Sequence, residues 1–402
     1  MAKFRNPKRK LLAVLLFVAA IQLLTCSRRQ QISADFLLTN KNEQKFALLP
    51  DARVKNIILY IGDGMGIAEI TTARLSKTGV SGRLTMEKMP VTGLEYTQSS
   101  DNLITDSAAG ATALATGFKT NNGMISVSPT GRRLETILEA AQNKGMRTGL
   151  VVTSEISHAT PACFASHVKS RHDQDSIAVQ LIAHGVDVLL GGGKKYFLPV
   201  TRVGSGRKDS LDLIAVARRD GYRFVETAEQ LRAVSAGKIL GLFAMGGMTT
   251  RAPEPSLQTM TEKALQLLAQ DNQEGFFLMV EGSQIDWAGH ANDVEDNIYQ
   301  TLQFDAALES GIKFARKNGH TLIVVTADHE TGGMSINGGT LDGKKLDIRW
   351  TTHHHTGVPV GIFAYGPHAL NFMGYHDNTE IPRMFARLLR IPDFPLGKNQ
   401  QK

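Results

Sequence analysis

Three short apolar runs in this sequence end in an acid, and histidines stand close to two of those acids. Asn56–Ile61 leads to Asp63, Phe276–Val280 to Glu281, and Thr321–Thr326 to Asp328. One strand-ending carboxylate is commonly a helix cap or a solvated turn. Three of them, with imidazoles nearby, suit divalent metal. Asp286 and His290 are four residues apart, which on a helical turn puts both side chains on one face, as two ligands of one ion require. Asp328 and His329 make a second oxygen–nitrogen pair. Two such pairs and a free strand-end acid suit two zinc ions. The run His353-His354-His355 offers another ligand, although such a run is often only exposed polar loop.

Ser107 opens the second informative stretch. Small, helix-favouring residues follow it and stop at Gly117, which predicts a helix with Ser107 at its N-terminus. Unpaired N–H groups and the helix dipole favour an anion there. Two readings stay open on the residues alone. Ser107 is either a plain helix cap or a nucleophile that ionises beside zinc without a histidine base.

The elements that must hold these groups alternate along the chain. Buried-strand candidates are Asn56–Ile61, Thr148–Thr153, Val186–Leu190, Phe276–Val280, Thr321–Thr326 and Val360–Tyr365. Each is brief, apolar and followed by glycine or a polar turn. Helical patterns lie between them, such as Leu134–Lys144, Leu257–Gln270 and Val294–Lys317. This predicts one α/β domain, a three-layer α/β/α sandwich with a mostly parallel central sheet. Functional groups then collect beyond the carboxyl ends of the strands.

Six motifs now stand in order over residues 56–367. They are Gly62-Asp63-Gly-Met-Gly66, Asp106-Ser107 through Gly117, His158-Ala-Thr160-Pro161 running on to Arg171, Glu281 through His290, Thr326-Ala-Asp-His-Glu330, and His355-Thr-Gly357. Together they resemble the alkaline phosphatase family. The resemblance implies hydrolysis of small-molecule phosphate monoesters through a phosphoserine at Ser107, with two zinc ions and one magnesium ion. Asp286, His290 and His355 would hold one zinc, and Asp63, Asp328 and His329 the other. Asp63 would reach the magnesium together with Thr160 and Glu281. Arg171 would clamp two phosphate oxygens, oriented by Asp106.

His158 and Trp287 stand near the magnesium and the phosphate in this resemblance, a pairing similar to that of some marine and cold-adapted bacterial members. Trp287 cannot ionise and offers only packing and an N–H donor. The spacings from Asp328 to His355, 27 residues, and from Arg171 to Glu281, 110 residues, are short for the family. They imply a reduced crown over the site. A homodimer is implied by resemblance. His353 and His354 receive no role and are read as solvated loop.

The formal charge of +7 is not a nucleic-acid signal. Five of the positive charges are Lys3, Arg5, Lys8, Arg9 and Lys10 in a segment without acids, which leaves +2 for residues 26–402. An apolar run, Leu11–Leu24, follows them. As a helix it rises about 21 Å, short of a hydrocarbon core of about 30 Å. Residues 1–26 therefore read as an export signal, residues 27–45 as a flexible linker and 46–402 as the catalytic domain. An uncleaved membrane anchor is the alternative for the first segment. Leu23-Leu24-Thr25-Cys26 resembles a lipobox, which leaves a lipid anchor at Cys26 open beside a soluble cleaved form. Either product is exported, periplasmic or anchored at the cell envelope. Cys163 reads as a small core residue.

Two competing readings remain. A phosphodiesterase or sulfatase of the same superfamily would share the two-metal core, but Ser107, Arg171 and the Glu281/Thr160 pair favour monoesters. A non-catalytic metal-binding surface protein would lack a ligand or the nucleophile, and none is missing here.

Overall fold

The computed structural model describes residues 45–395. The expected signal, the lipobox with Cys26 and nearly all of the linker lie outside the described residues. Among the described residues, no helix is long and apolar enough to cross a membrane.

The strands, in chain order, are β1 (Asn56–Gly62), β2 (Val91–Tyr96), β3 (Arg147–Glu155), β4 (Val188–Gly192), β5 (Tyr222–Val225), β6 (Lys238–Leu242), β7 (Phe276–Gly282), β8 (Thr321–Thr326), β9 (Glu330–Thr331), β10 (Ser335–Gly339), β11 (Leu346–Arg349), β12 (His355–Thr356), β13 (Val360–Tyr365) and β14 (Gly374–Asp377). Ten of them form one sheet in the order β14-β2-β13-β8-β1-β7-β3-β4-β6-β5. Only β13 runs against its neighbours β8 and β2. The mostly parallel sheet expected from sequence is present, and all six strands read from apolar runs lie in it.

Strand β1 shows why those runs are apolar throughout rather than alternating. Ile57, Leu59 and Ile61 pack into one core and Ile58 and Tyr60 into the other, since successive side chains point to opposite faces. The first core is closed by helices Ser107–Thr116, Ile137–Asn143, Ala159–Ala165, Gln174–Ala183 and Glu380–Leu389, the second by Ile67–Thr78, Leu257–Ala269 and Val294–Asn318. This is the three-layer sandwich. Phe277 sits at the centre of the first core with its ring 6.0 Å from that of Phe164 and 6.2 Å from that of Phe385. Truncating such a residue to alanine costs about 3–5 kcal/mol.

Strands β2, β5, β6 and β14 were not read from the sequence. β2 alternates buried and exposed residues and carries a charge at Glu95, so its pattern is broken where it matters. Glu95 is fully buried; its Oε1 accepts from Thr326 Oγ1 at 2.6 Å, and its Oε2 has no partner. Burial, reinforced by the Asp377 and Asp328 charges, pushes its carboxyl up to about 8 against the offsetting Thr326 hydrogen bond and Lys119. Stability from this group is therefore complete at low pH, and is lost as pH rises from the unfolded value of about 4.3 through the folded one. Glu95→Gln removes that loss. The variant should melt about 5 °C above wild type at pH 9, a gain on the order of 3 kcal/mol, and level with it at pH 4. Equal melting temperatures at pH 9 would show that Glu95 ionises without cost.

Between β9 and β12 the chain makes only the exposed β10–β11 hairpin. The short Asp328–His355 spacing thus produces a small excursion.

Candidate active site

Four adjacent parallel strands, β8-β1-β7-β3 in sheet order, deliver the acids to one place. Asp63 follows β1, Glu281 is the second-to-last residue of β7, Asp328 follows β8, and His158 and Thr160 come from the turn and helix after β3. Asp63, Glu281, Thr160, Asp328 and His329 are all fully buried. Two glycines permit this crowding. A Cβ on Gly110 would lie 2.9 Å from the Asp328 carbonyl oxygen, so the Ser107 helix can approach β8. Gly64 has φ +71°, and a Cβ there would lie 2.8 Å from Asp286 Cα.

The helix Ser107–Thr116 forms as expected and ends at Gly117, with φ 74°. Its cap is Asp106, whose side chain accepts from the Ala109 N–H at 2.9 Å. Ser107 is therefore the first helical residue and not the cap, which removes the plainer of its two readings. Its Oγ lies 3.3 Å from His329 Nε2. Asp106 also accepts from the Gly123 N–H and, at 2.9 Å, from Arg171 Nη1. Arg171 reaches His158 Nε2 at 3.4 Å with its other nitrogen. Burial works against the guanidinium charge, but the Asp106 carboxylate more than offsets it.

Asp286 and His290 share one face of helix Gln284–Ala291, as their spacing predicts. Asp286 Oδ1 is 3.4 Å from His290 Nε2 and 3.4 Å from His355 Nε2, and the two imidazole nitrogens are 3.1 Å apart. A second triangle joins His329 Nε2 to Asp328 Oδ2 at 3.2 Å and Asp63 Oδ1 at 3.5 Å, with Ser107 Oγ on the same nitrogen. Tetrahedral ligands about 2.0–2.1 Å from a zinc ion stand roughly 3.3 Å from one another. All five of these separations lie close to that value. His329 also lies near Asp286 and His355, its ring stacked on His355 at 3.5 Å. Its Nε2, however, faces Asp63, Asp328 and Ser107, so it belongs with the second triangle.

The outer nitrogens fix the tautomers. His290 Nδ1 donates to the His353 carbonyl at 2.6 Å, and His355 Nδ1 donates to the Thr105 carbonyl at 2.8 Å. His329 Nδ1 lies 3.3 Å from Thr331 Oγ1, whose own proton goes to Asp286 Oδ1. Each inner Nε2 is thus a bare lone pair turned toward carboxylates, an arrangement that calls for a cation between them. The buried oxygens agree. Both oxygens of Asp63 and of Glu281, Asp328 Oδ2 and Thr160 Oγ1 have no hydrogen-bond partner. Asp63, His158 and Glu281 offer ligand atoms within 4.8 Å of one another, a third, oxygen-rich cluster.

Electrostatics express the same need. Burial and the mutual repulsion of Asp63, Asp328, Asp286 and Glu281 push Asp63 well above the usual carboxylate range. Burial drives Glu281 to about 8 and, with the Asp286 charge, Asp328 to about 6. Burial holds His329 well below its ordinary value. His158 falls to about 4 through burial and the nearby Arg171.

Asp286 and His158 open onto a cleft of about 540 Å³, lined also by Ser107, Arg171, Trp287, His290 and His355 among others. Trp287 packs edge-on to His158 with ring centroids 6.1 Å apart. Asn102, Ile104 and Asn122 also line the cleft and were missed, because loop residues without metal-binding chemistry give no signal in one sequence. His353 and His354 are exposed, as expected for a solvated loop. The His353 backbone nonetheless orients His290, and the His353 ring returns a hydrogen bond to the His290 carbonyl at 2.9 Å. Cys163 is fully buried and lies 3.2 Å from the Ala108 carbonyl, a core residue whose thiol burial pushes up to about 12.

The family profile "Alkaline phosphatase" matches residues 54–346 and 343–391. Alkaline phosphatase 4 of Bacillus subtilis is 34% identical, over 97% of this chain and 99% of its own length. The alkaline phosphatase of Escherichia coli K12 is 36% identical over 83% and 85%. Among solved structures, the alkaline phosphatase from the Antarctic bacterium TAB5 superimposes with a TM-score of 0.78, at 34% identity over 84% of this chain and 99% of that one. With the three-layer fold and the metal-poised cleft beside Ser107, these matches place the chain in the alkaline phosphatase family.

Proposed function

We propose that this chain hydrolyses phosphate monoesters in two steps through Ser107, holding two zinc ions and one magnesium ion. One observation carries the proposal: His329, fully buried, and His290 and His355, which line the cleft, turn their Nε2 atoms toward carboxylates beside the serine hydroxyl, with Arg171 in the same cleft. Asp286, His290 and His355 would hold one zinc, Asp63, Asp328 and His329 the other, and Asp63, Thr160 and Glu281 the magnesium. The donor sets suit this division, mixed nitrogen and oxygen for zinc and all oxygen for magnesium. Bound there, the ions supply Lewis-acid stabilisation of the attacking and leaving oxygens.

The residues of the chain do the rest. The Ser107 Oγ attacks phosphorus, the P–O bond to the alcohol breaks, and the alcohol leaves with a proton from solvent in place of the one the serine gave up. Water then attacks the phosphoserine, releasing inorganic phosphate and restoring the serine. The start of the helix aims unpaired N–H groups at the phosphoryl group. The Arg171 fork pairs with two equatorial oxygens, and Asp106 keeps the fork aimed. Arg171→Lys keeps the charge but loses the fork, and should lower kcat/KM for p-nitrophenyl phosphate roughly 10–100-fold. Unchanged kinetics would remove Arg171 from substrate binding.

Residues 1–26 fit this reading as an export signal, on their basic start and apolar continuation, with residues 46–402 as the catalytic domain. The test of the function compares p-nitrophenyl phosphate with bis-p-nitrophenyl phosphate at alkaline pH. Preference for the monoester is expected. Preference for the diester would move the chain to the diesterase branch.

A further inference from the structure

A second set of ligand-type side chains shares no residue with the cleft. Glu139 on helix Ile137–Asn143, His167 after helix Ala159–Ala165 and His184 at the end of helix Gln174–Ala183 bring ligand atoms within 4.8 Å of one another. Glu139 Oε1 is 2.9 Å from His167 Nε2 and 3.5 Å from His184 Nε2. Those edges bracket the roughly 3.3 Å expected between tetrahedral zinc ligands, and they match the two triangles in the cleft.

The surrounding hydrogen bonds repeat the pattern of the cleft histidines. His167 Nδ1 lies 2.8 Å from the Ser126 carbonyl, which fixes its proton on the outer nitrogen. Glu139 Oε2 is engaged by the Thr136 N–H in a capping box, so Oε1 alone faces the histidines. The Glu139 residue is 5% exposed, so its carboxylate is held inside the fold. His184 leaves the site an opening, with 21% of its side chain exposed.

We propose that Glu139, His167 and His184 form a further binding site for a zinc-class divalent ion, one that ties three helices together away from the catalytic groups. A His₂–carboxylate set with a solvent-facing fourth position suits zinc in preference to magnesium or calcium. Arg133 is the competing cation. Its Nη2 meets the same Oε1, and its side chain, 61% exposed, can withdraw into water. The ion enters by displacing that guanidinium and any proton on His167 Nε2.

The test measures zinc uptake by the full-length, metal-loaded protein, using calorimetry and metal analysis on wild type, His184→Ala and Arg133→Ala. Wild type should bind one zinc per chain more than His184→Ala, whose affinity at this site falls at least about 100-fold. Zinc should raise the melting temperature of wild type and fail to raise that of His184→Ala. Arg133→Ala should bind more tightly than wild type. Both variants should keep the wild-type turnover of p-nitrophenyl phosphate, which also reports that they fold. The readout is a difference between variants, so it does not depend on how many ions the cleft holds. Equal uptake by wild type and His184→Ala, or no additional zinc in wild type and Arg133→Ala alike, would overturn the site and leave a Glu139 ion-pair cluster.

Discussion

Replacing Ser107 with alanine should lower kcat for p-nitrophenyl phosphate by at least about 10³-fold, with KM changed less than about tenfold. The substitution deletes one oxygen and little else. Ser107 is the first helical residue, and Asp106 supplies the cap, so the helix keeps its N-terminal hydrogen bond. Alanine is also the better helix former. The variant should melt within about 1 °C of wild type, since no cap or core contact is lost. Circular dichroism melts beside steady-state kinetics check both halves. A variant that stays active would show that the serine is not the nucleophile. One that is inactive but unfolded would show that Ser107 has a structural task the geometry does not indicate.

Stripping the metal should have an effect of similar size on activity and a large one on stability. The cleft buries Asp63, Glu281, Asp286 and Asp328 together, and unpaired buried carboxylates are costly. An ion held at a thousand times its dissociation constant contributes about 4 kcal/mol. Three such ions correspond to a fall in melting temperature on the order of 10 °C or more for a domain of this size. Chelator should therefore lower the melting temperature by that amount and abolish turnover, and zinc with magnesium should restore both. Calorimetric scans and rates before and after chelation decide it. Full activity in verified metal-free protein would contradict the assignment of these acids.

Much of the fold was legible because buried parallel strands announce themselves. The run Thr321–Thr326 is read from sequence with the bounds of β8, and Val360–Tyr365 with those of β13. The helix read as Leu134–Lys144 starts three residues later, at Ile137, because Thr136 caps it with Glu139 in a capping box. Edge and half-buried strands were silent. β2 alternates burial and interrupts its own pattern with Glu95, and β14 is mostly polar and exposed.

The site divides in the same way. Asp286 and His290 could be placed on one helix face from spacing alone, and Ser107 at a helix start from the small residues behind it. Which histidine joins which acid could not be read from the residues, since it depends on how β8, β1 and β7 lie side by side. The outer contacts were also hidden. Nothing in the sequence says that the His353 carbonyl, the Thr105 carbonyl and the Thr331 hydroxyl hold the imidazoles. Nor did a pattern connect Glu139, His167 and His184, which come from three separate segments.

In the proposed reaction Ser107 carries the phosphoryl group during turnover. The most direct measurement mixes the metal-loaded protein with a phosphate monoester, quenches in acid during turnover, and maps phosphorylation by peptide mass spectrometry. One phosphoryl group is expected on Ser107 in the peptide that contains it, and none in the Ser107→Ala variant. Active protein with no phosphopeptide under any quench time, or with the phosphoryl group on another residue, would contradict it.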